Sequence, residues 1–168
     1  GFFGLSAILG VFSLIIMMIK PNKKIEISLK EMTYVSEMSL TIGIFLLTVG
    51  TFLGGMWANE SWGRYWSWDP KETWAFVSVI VYAVVLHMRL VPGLRGKFAF
   101  NVAAMWAVWT VIMTYFGVNY YLSGLHSYAA GDPIPIPFWV PATAVAMLVL
   151  SIAAWYFQNK VYHVKSKN

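Results

Sequence analysis

Asp69-Pro70-Lys71-Glu72-Thr73-Trp74-Ala75-Phe76-Val77-Ser78-Val79-Ile80-Val81-Tyr82-Ala83-Val84-Val85-Leu86-His87-Met88-Arg89-Leu90 couples a helix start to a membrane-length apolar run. Asp69 reads as an N-cap, Pro70 as the first helical residue and Glu72 as the N3 partner that reaches back to the cap. Side chains thereby satisfy the orphan N–H groups of the helix start. The apolar part, near 73–90, approaches the roughly 20 residues a helix needs to cross about 30 Å of hydrocarbon. Four more apolar stretches lie near 2–19, 38–57, 98–119 and 138–158. Backbone groups in lipid must be satisfied within their own segment, so all five are read as helices. The expected fold is an all-α integral membrane protein, a bundle of about five transmembrane helices forming one domain over residues 1–168.

Composition agrees. Of 168 residues, 59% are hydrophobic and only 11% charged, outside the usual mix of a soluble domain. The net charge of +5 would suggest nucleic acid in a soluble protein, but the basic residues sit at the ends of apolar runs, which leaves the lipid bilayer as the partner and argues against nucleic acid. Lys20, Lys23, Lys24 and Lys30, then Arg89, Arg95 and Lys97, then Lys160, Lys165 and Lys167 make three connectors that share one side if there are five crossings. The positive-inside rule makes that side cytoplasmic, with the N-terminus outside and the C-terminus inside. The segment near 58–72 and the connector 120–137 then share the external face. The chain starts with Gly1, and its opening apolar run has no basic leader and no small-residue cleavage site, so it is read as a fragment of a longer chain. Pro92-Gly93 predicts a tight turn, and Gly131 to Pro137 a stiff extended approach to the last span.

The external segment is dense in aromatics. Four of the nine tryptophans, Trp62, Trp66, Trp68 and Trp74, fall within thirteen positions. An interfacial aromatic belt explains tryptophan near a helix end, but a belt spreads its rings over all the ends. This clustering suits a flat apolar ligand. Trp62 and Trp66, four apart, are expected on one helical face, Trp68 on another bearing, and Trp74 inside the span. Gly63 would let a planar ligand approach the backbone. Arg64 and Lys71 are candidate partners for ligand carboxylates.

With no cysteine, metal or catalytic chemistry rests on histidine, carboxylates or a cofactor. His87 lies in an apolar span, where an ionisable residue marks either function or a hydrogen bond between helices. His126, in Tyr120-Tyr121-Leu122-Ser123-Gly124-Leu125-His126-Ser127-Tyr128, shares the external face with the tryptophans and can ligate iron. His163 in the basic tail reads as solvated, Asp69 and Glu72 as capping groups rather than an acid–base pair, and the scattered methionines as packing. No hydrolase elbow, phosphate loop or zinc-helix motif is present.

Three motifs in order carry a resemblance. Trp62-Gly63-x-x-Trp66-x-Trp68-Asp69 resembles the WWD signature of membrane proteins that handle heme in cytochrome c biogenesis. Its continuation, Pro70-Lys71-Glu72-Thr73-Trp74-Ala75, is similar to the System II branch, the CcsA/ResC family. Phe116-Gly117-Val118-Asn119 with Gly124-Leu125-His126-Ser127-Tyr128 resembles that family's second external-histidine region, and His87-Met88-Arg89 its membrane histidine.

The resemblance implies a C-terminal part that carries heme b outward and presents it on an external WWD platform, for thioether attachment to apocytochrome c bearing Cys-x-x-Cys-His. Such a part belongs to a cytochrome c heme lyase or synthase working with a ResB-like membrane partner, in a bacterial inner (cytoplasmic) membrane or a thylakoid-type membrane. It further implies that Trp62, Gly63, Trp66, Trp68 and Asp69 line or shape the platform, and that His126 and His87 are axial iron ligands at the external and transmembrane sites. Residues 1–86 contain no histidine, so a second ligand at either site comes from elsewhere. A System I-type handler that passes heme to a chaperone, and a membrane scaffold with an interfacial tryptophan anchor, are the alternative readings.

Overall fold

The computed structural model describes residues 1–125 and 135–165, the last five of them by backbone alone. All regular structure among the described residues is helical: α1 (Phe2–Met17), α2 (Lys23–Trp62), α3 (Pro70–His87), α4 (Lys97–Ile112), a π-turn over Met113–Gly117, α5 (Val118–Tyr121) and α6 (Trp139–Lys165). Four helical runs are long and apolar enough to cross a membrane, and α1 is a shorter apolar helix beside them. The chain is a multi-pass integral membrane protein.

Two expectations about boundaries change. The basic connector after the first span is not a loop: α2 begins at Lys23, capped by the Asn22 side chain, which accepts from the Ile25 N–H at 2.9 Å. Pro21 ends the break, and the lysine, glutamate, leucine and methionine beyond it are good helix formers with no later breaker. The resulting 40 residues measure roughly 60 Å at 1.5 Å per residue, about twice the hydrocarbon thickness. Charge there marks the end of the membrane, not the end of the helix. The second change is the π-turn, which interrupts a run that reads as one regular span over 98–119. Its extra residue rotates the rest of the helix by about 100°. Past it, Asn119 Oδ1 accepts from Lys71 Nζ at 3.2 Å.

Lipid tails are as apolar as leucine, so helices here associate through close backbone approach and polar contacts. The buried residues fit that rule. Ser6 of α1 and Ser36 of α2 share a hydrogen bond of 2.7 Å, and Asn101 of α4 donates to Thr33 of α2 at 3.0 Å and to the Lys97 carbonyl at 2.8 Å. Gly10 brings α1 so close to α4 that a Cβ there would stand 2.8 Å from the Asn101 carbonyl oxygen. Gly43 gives the Phe3 ring its seat, from which it stacks on Tyr82 with centroids 3.9 Å apart. Leu40, Tyr82, Val85, Ala104 and Ala107 complete this centre, while α6 docks through Ala154 against Leu14 and Met105.

The two ends of the bundle differ in chemistry. Lys30, Arg89, Arg95 and Lys97 surround one small pocket in which Glu37 pairs with Arg89, and Gln158 of α6 lines a neighbouring pocket with Arg95 and Lys97. The first two basic segments therefore meet at one end, with Gln158 of α6 beside them. Pro92-Gly93 turns the chain there as expected, with Gly93 at φ 90°. At the opposite end, α2 stops, α3 starts and α5 ends.

If close approach holds the bundle, Gly10→Ala destabilises it by about 1–3 kcal/mol through overpacking against α4. Gly54→Ala on α2, where a Cβ meets nothing within 4 Å, is neutral or slightly stabilising. Thermal unfolding in detergent reads the difference, and equal effects at both positions would contradict this packing.

Candidate functional site

The tryptophan end is built from a helix stop and a helix start separated by a short irregular segment, residues 63–69. Helix α2 ends at Trp62 because Gly63 takes the left-handed conformation, φ 70°, and closes the last turn with its N–H on the Asn59 carbonyl at 2.8 Å. Trp62 and Trp66 consequently do not share a helical face. Trp62 packs edge-on to Trp57, centroids 5.0 Å apart, and Trp66 belongs to the irregular segment beyond. The left-handed freedom of Gly63 ends the helix, and a Cβ built there would meet nothing within 4 Å, so the space beside its backbone is open.

Helix α3 starts as its sequence predicts. Asp69 Oδ1 accepts from the Lys71 N–H at 3.1 Å, and Glu72 Oε2 accepts from the Asp69 N–H at 3.3 Å, a complete capping box with Pro70 in the first turn. The same Glu72 oxygen takes the Ser67 N–H at 2.8 Å and the Ser67 hydroxyl at 3.2 Å, which folds the tryptophan segment back onto the helix. Trp68 lies between them at φ 59°, the one left-handed non-glycine among the described residues. For a bulky side chain that is a strained conformation, costing of order 1–3 kcal/mol. It projects a ring that is 67% exposed.

The rings frame a cleft. Trp66 meets Trp68 edge-on at 5.8 Å and Phe76 of α3 at 6.3 Å. With Tyr65, Phe52 and Met56 they line an apolar cleft of about 640 Å³ between α2 and α3. Across the Tyr65–Trp66 backbone a second cleft of about 460 Å³ is bordered by Gly50, Gly54, Lys71 and Glu72. Trp66 thus stands as a wall between two cavities. Trp74 is half-buried in α3, as expected, and its carbonyl accepts from Ser78.

Asp69 does more than cap. The residue is 7% exposed, and its second carboxylate oxygen accepts from the Leu125 N–H at 2.7 Å, across 56 residues of sequence. Gly124 lies so close that an added Cβ would overlap Asp69 Oδ2 and stand 2.9 Å from Pro70 Cδ. The loop after α5 is therefore seated on the start of α3. His126, the next residue, lies outside the described residues, as do Gly131 to Ile134 of the predicted stiff approach. The carboxylate joins the histidine loop to the helix N-terminus, a link that no local pattern announces.

His87 lies at the other end, roughly 26 Å along α3 from Pro70. It is exposed on the helix, with Nδ1 2.7 Å from the Ala83 carbonyl. A carbonyl only accepts, so Nδ1 carries a proton, and in the neutral ring Nε2 is the nitrogen with the lone pair. The structure does not bring His87 to the tryptophans; the two are separate places on the bundle. Of the candidate carboxylate partners, Arg64 is exposed and Lys71 reaches Asn119. Of the methionines, Met105 is buried, Met113 lies against Gly117 and Met147 Sδ accepts from Trp109 Nε1, whereas Met38 and Met56 are exposed, Met56 on the apolar cleft. The side chain of His163 lies outside the described residues.

Known proteins resemble the chain over most of its length. Protein NrfI of Wolinella succinogenes is 48% identical over 157 residues, covering 92% of this chain and 17% of that protein. The cytochrome c biogenesis protein CcsA of Prochlorococcus marinus is 46% identical over 99 residues, covering 59% of this chain and 31% of that one, and CcsA of Cyanophora paradoxa is 44% identical over 99 residues. The chain spans less than a third of the length of each of these relatives. The model of the cytochrome c assembly protein family matches residues 1–126, most of the chain, and the chain belongs to that family.

Proposed function

We propose that this segment holds heme b at its tryptophan end and presents it, on the non-cytoplasmic side, for attachment to apocytochrome c. The observation that supports this most is the meeting of two chain regions at one carboxylate: the ring-lined segment Tyr65–Trp68 and the loop that reaches His126 are joined through Asp69. A porphyrin needs two things from a protein, apolar faces to stack on and an imidazole for its iron. The first is present in Trp66, Trp68 and Phe76 beside an open apolar cleft, and the second is one peptide beyond Leu125, about 3.8 Å between Cα atoms.

The bound group supplies iron and reactive vinyl carbons. The chain supplies orientation. Trp66 and Trp68, nearly perpendicular to each other, offer a planar ligand one ring face and one ring edge, which limits its tilt. Arg64 and Lys71 are the cations nearest in sequence and suit propionates. At the far end, His87 offers a lone pair with its tautomer already fixed, as an internal ligand on the way outward. The whole protein acts with a ResB-like membrane partner and takes an apocytochrome with a Cys-x-x-Cys-His segment. The positive-inside rule assigns the basic end to the cytoplasm.

The full-length protein purified from heme-sufficient cells should carry a Soret band. Trp66→Ala should weaken heme retention roughly 10-fold, by loss of stacking of about 1–3 kcal/mol, whereas Trp155→Ala in α6 should leave it unchanged. Equal losses would indicate general destabilisation instead. His87→Ala should reduce heme arriving at the tryptophan end, and added imidazole should restore it by replacing the missing ligand. Undiminished delivery would assign His87 to packing. A wild-type protein without heme would leave a scaffold with an interfacial anchor.

A further inference from the structure

We infer that Asp69 is a positioning residue whose carboxylate anchors the loop at Leu125, the residue that precedes His126 in the chain, rather than a group that touches the ligand. The inference rests on the proposed heme-holding role for its functional meaning and on geometry for its substance. Asp69 is 7% exposed, so little of it faces the cleft. Each carboxylate oxygen already accepts a backbone N–H. Oδ1 holds Lys71 in the first turn of α3 at 3.1 Å, and Oδ2 holds Leu125 at 2.7 Å. The carboxylate is thus a bridge between the start of a helix and the residue preceding the histidine. A charged acceptor makes a shorter and stronger bond than a neutral one, which suits a loop that must be held at a membrane surface.

Two further observations fit a bridge. Gly124 packs against the carboxylate and Pro70 with no room for a side chain, so the loop is seated on the Asp69-Pro70 pair over more than one bond. Lys71, the residue capped by Asp69, joins Asn119 at 3.2 Å on the stretch leading into the same loop. The seat is built from both of its approaches. A ligand-contacting carboxylate would instead be open toward the rings, and it would repel the propionates of the ligand proposed here.

The test uses the full-length protein and two readouts. Amide hydrogen exchange, without heme, should show Leu125 protected in the wild type and at least roughly 10-fold less protected in Asp69→Ala. Gly124→Ala, which pushes on the same contact from the loop side, should act alike. In the heme-loaded protein, Asp69→Ala should convert six-coordinate low-spin ferric heme largely to a high-spin form. Millimolar imidazole should restore the low-spin spectrum, because the ring platform is intact and only the ligand is misplaced. Asp69→Asn, whose amide oxygen still accepts one bond, should fall between. Asn22→Ala, which removes a helix cap at the basic end, should lower stability without changing the spectrum.

Unchanged Leu125 protection in Asp69→Ala overturns the inference. So does a spectral loss that imidazole fails to restore in a folded variant, since Asp69 would then act on the heme itself. If the wild type holds no heme while Leu125 protection still depends on Asp69, the bridge stands and the heme reading falls.

Discussion

Two carboxylates organise the tryptophan end. Asp69 and Glu72 between them accept from Lys71, Leu125, Ser67 and the Asp69 N–H, drawing a helix start, an irregular aromatic segment and a distant loop onto one point. Partly buried carboxylates are costly unless their oxygens find donors, so the constraint works in both directions. The donors hold the acids in place, and the acids decide where the donors' chain segments go. The strained backbone of Trp68 is kept by bonds on either side of it, Ser67 to Glu72 and Thr73 to the Trp68 carbonyl. An exposed ring at a membrane boundary, held in a strained backbone, is a feature to connect with ligand binding.

The rest of the bundle serves as a frame for this point. Helix α3 is tied to α1 at its middle by Tyr82 under Phe3 and to α2 just past its far end by Arg89 on Glu37. Helix α4 reaches the same level only after a π-turn, beyond which Asn119 meets Lys71. Small residues at the crossings, Gly10, Gly43, Ser6 and Ser36, let the helices approach closely enough for these contacts to register. The large apolar side chains of α2 beyond that core, Phe45, Phe52 and Leu53 among them, are exposed on the bundle, as suits a protein in lipid.

Much of this is legible in the sequence because its causes are local. The capping box at Asp69-Pro70-Lys71-Glu72, the turn at Pro92-Gly93 and the apolar spans each arise from residues within a few positions of one another. The features that escape such a reading depend on distance or on competing uses of one residue. Gly63 reads as space for a ligand and also ends α2, a second use beyond the one read from the sequence, because a left-handed glycine after a helix satisfies the last carbonyls. Lys20, Lys23, Lys24 and Lys30 read as a connector between spans, yet helix propensity continues across a charge boundary that matters only to the membrane. The Asp69 to Leu125 bond joins residues 56 apart, and no local periodicity encodes it. The π-turn leaves no mark except Gly117, which accepts the Met113 side chain against it.

The proposed function requires that the ring-bearing segment and His126 grip one heme between them. A structure of the full-length protein purified with heme tests it most directly. The expected result is a porphyrin lying against Trp66 and Trp68, its iron bonded to His126, and the Asp69 carboxylate still on the Leu125 N–H. A heme bound elsewhere, with the tryptophan cleft filled by lipid or by another helix and His126 turned away from it, would contradict the claim.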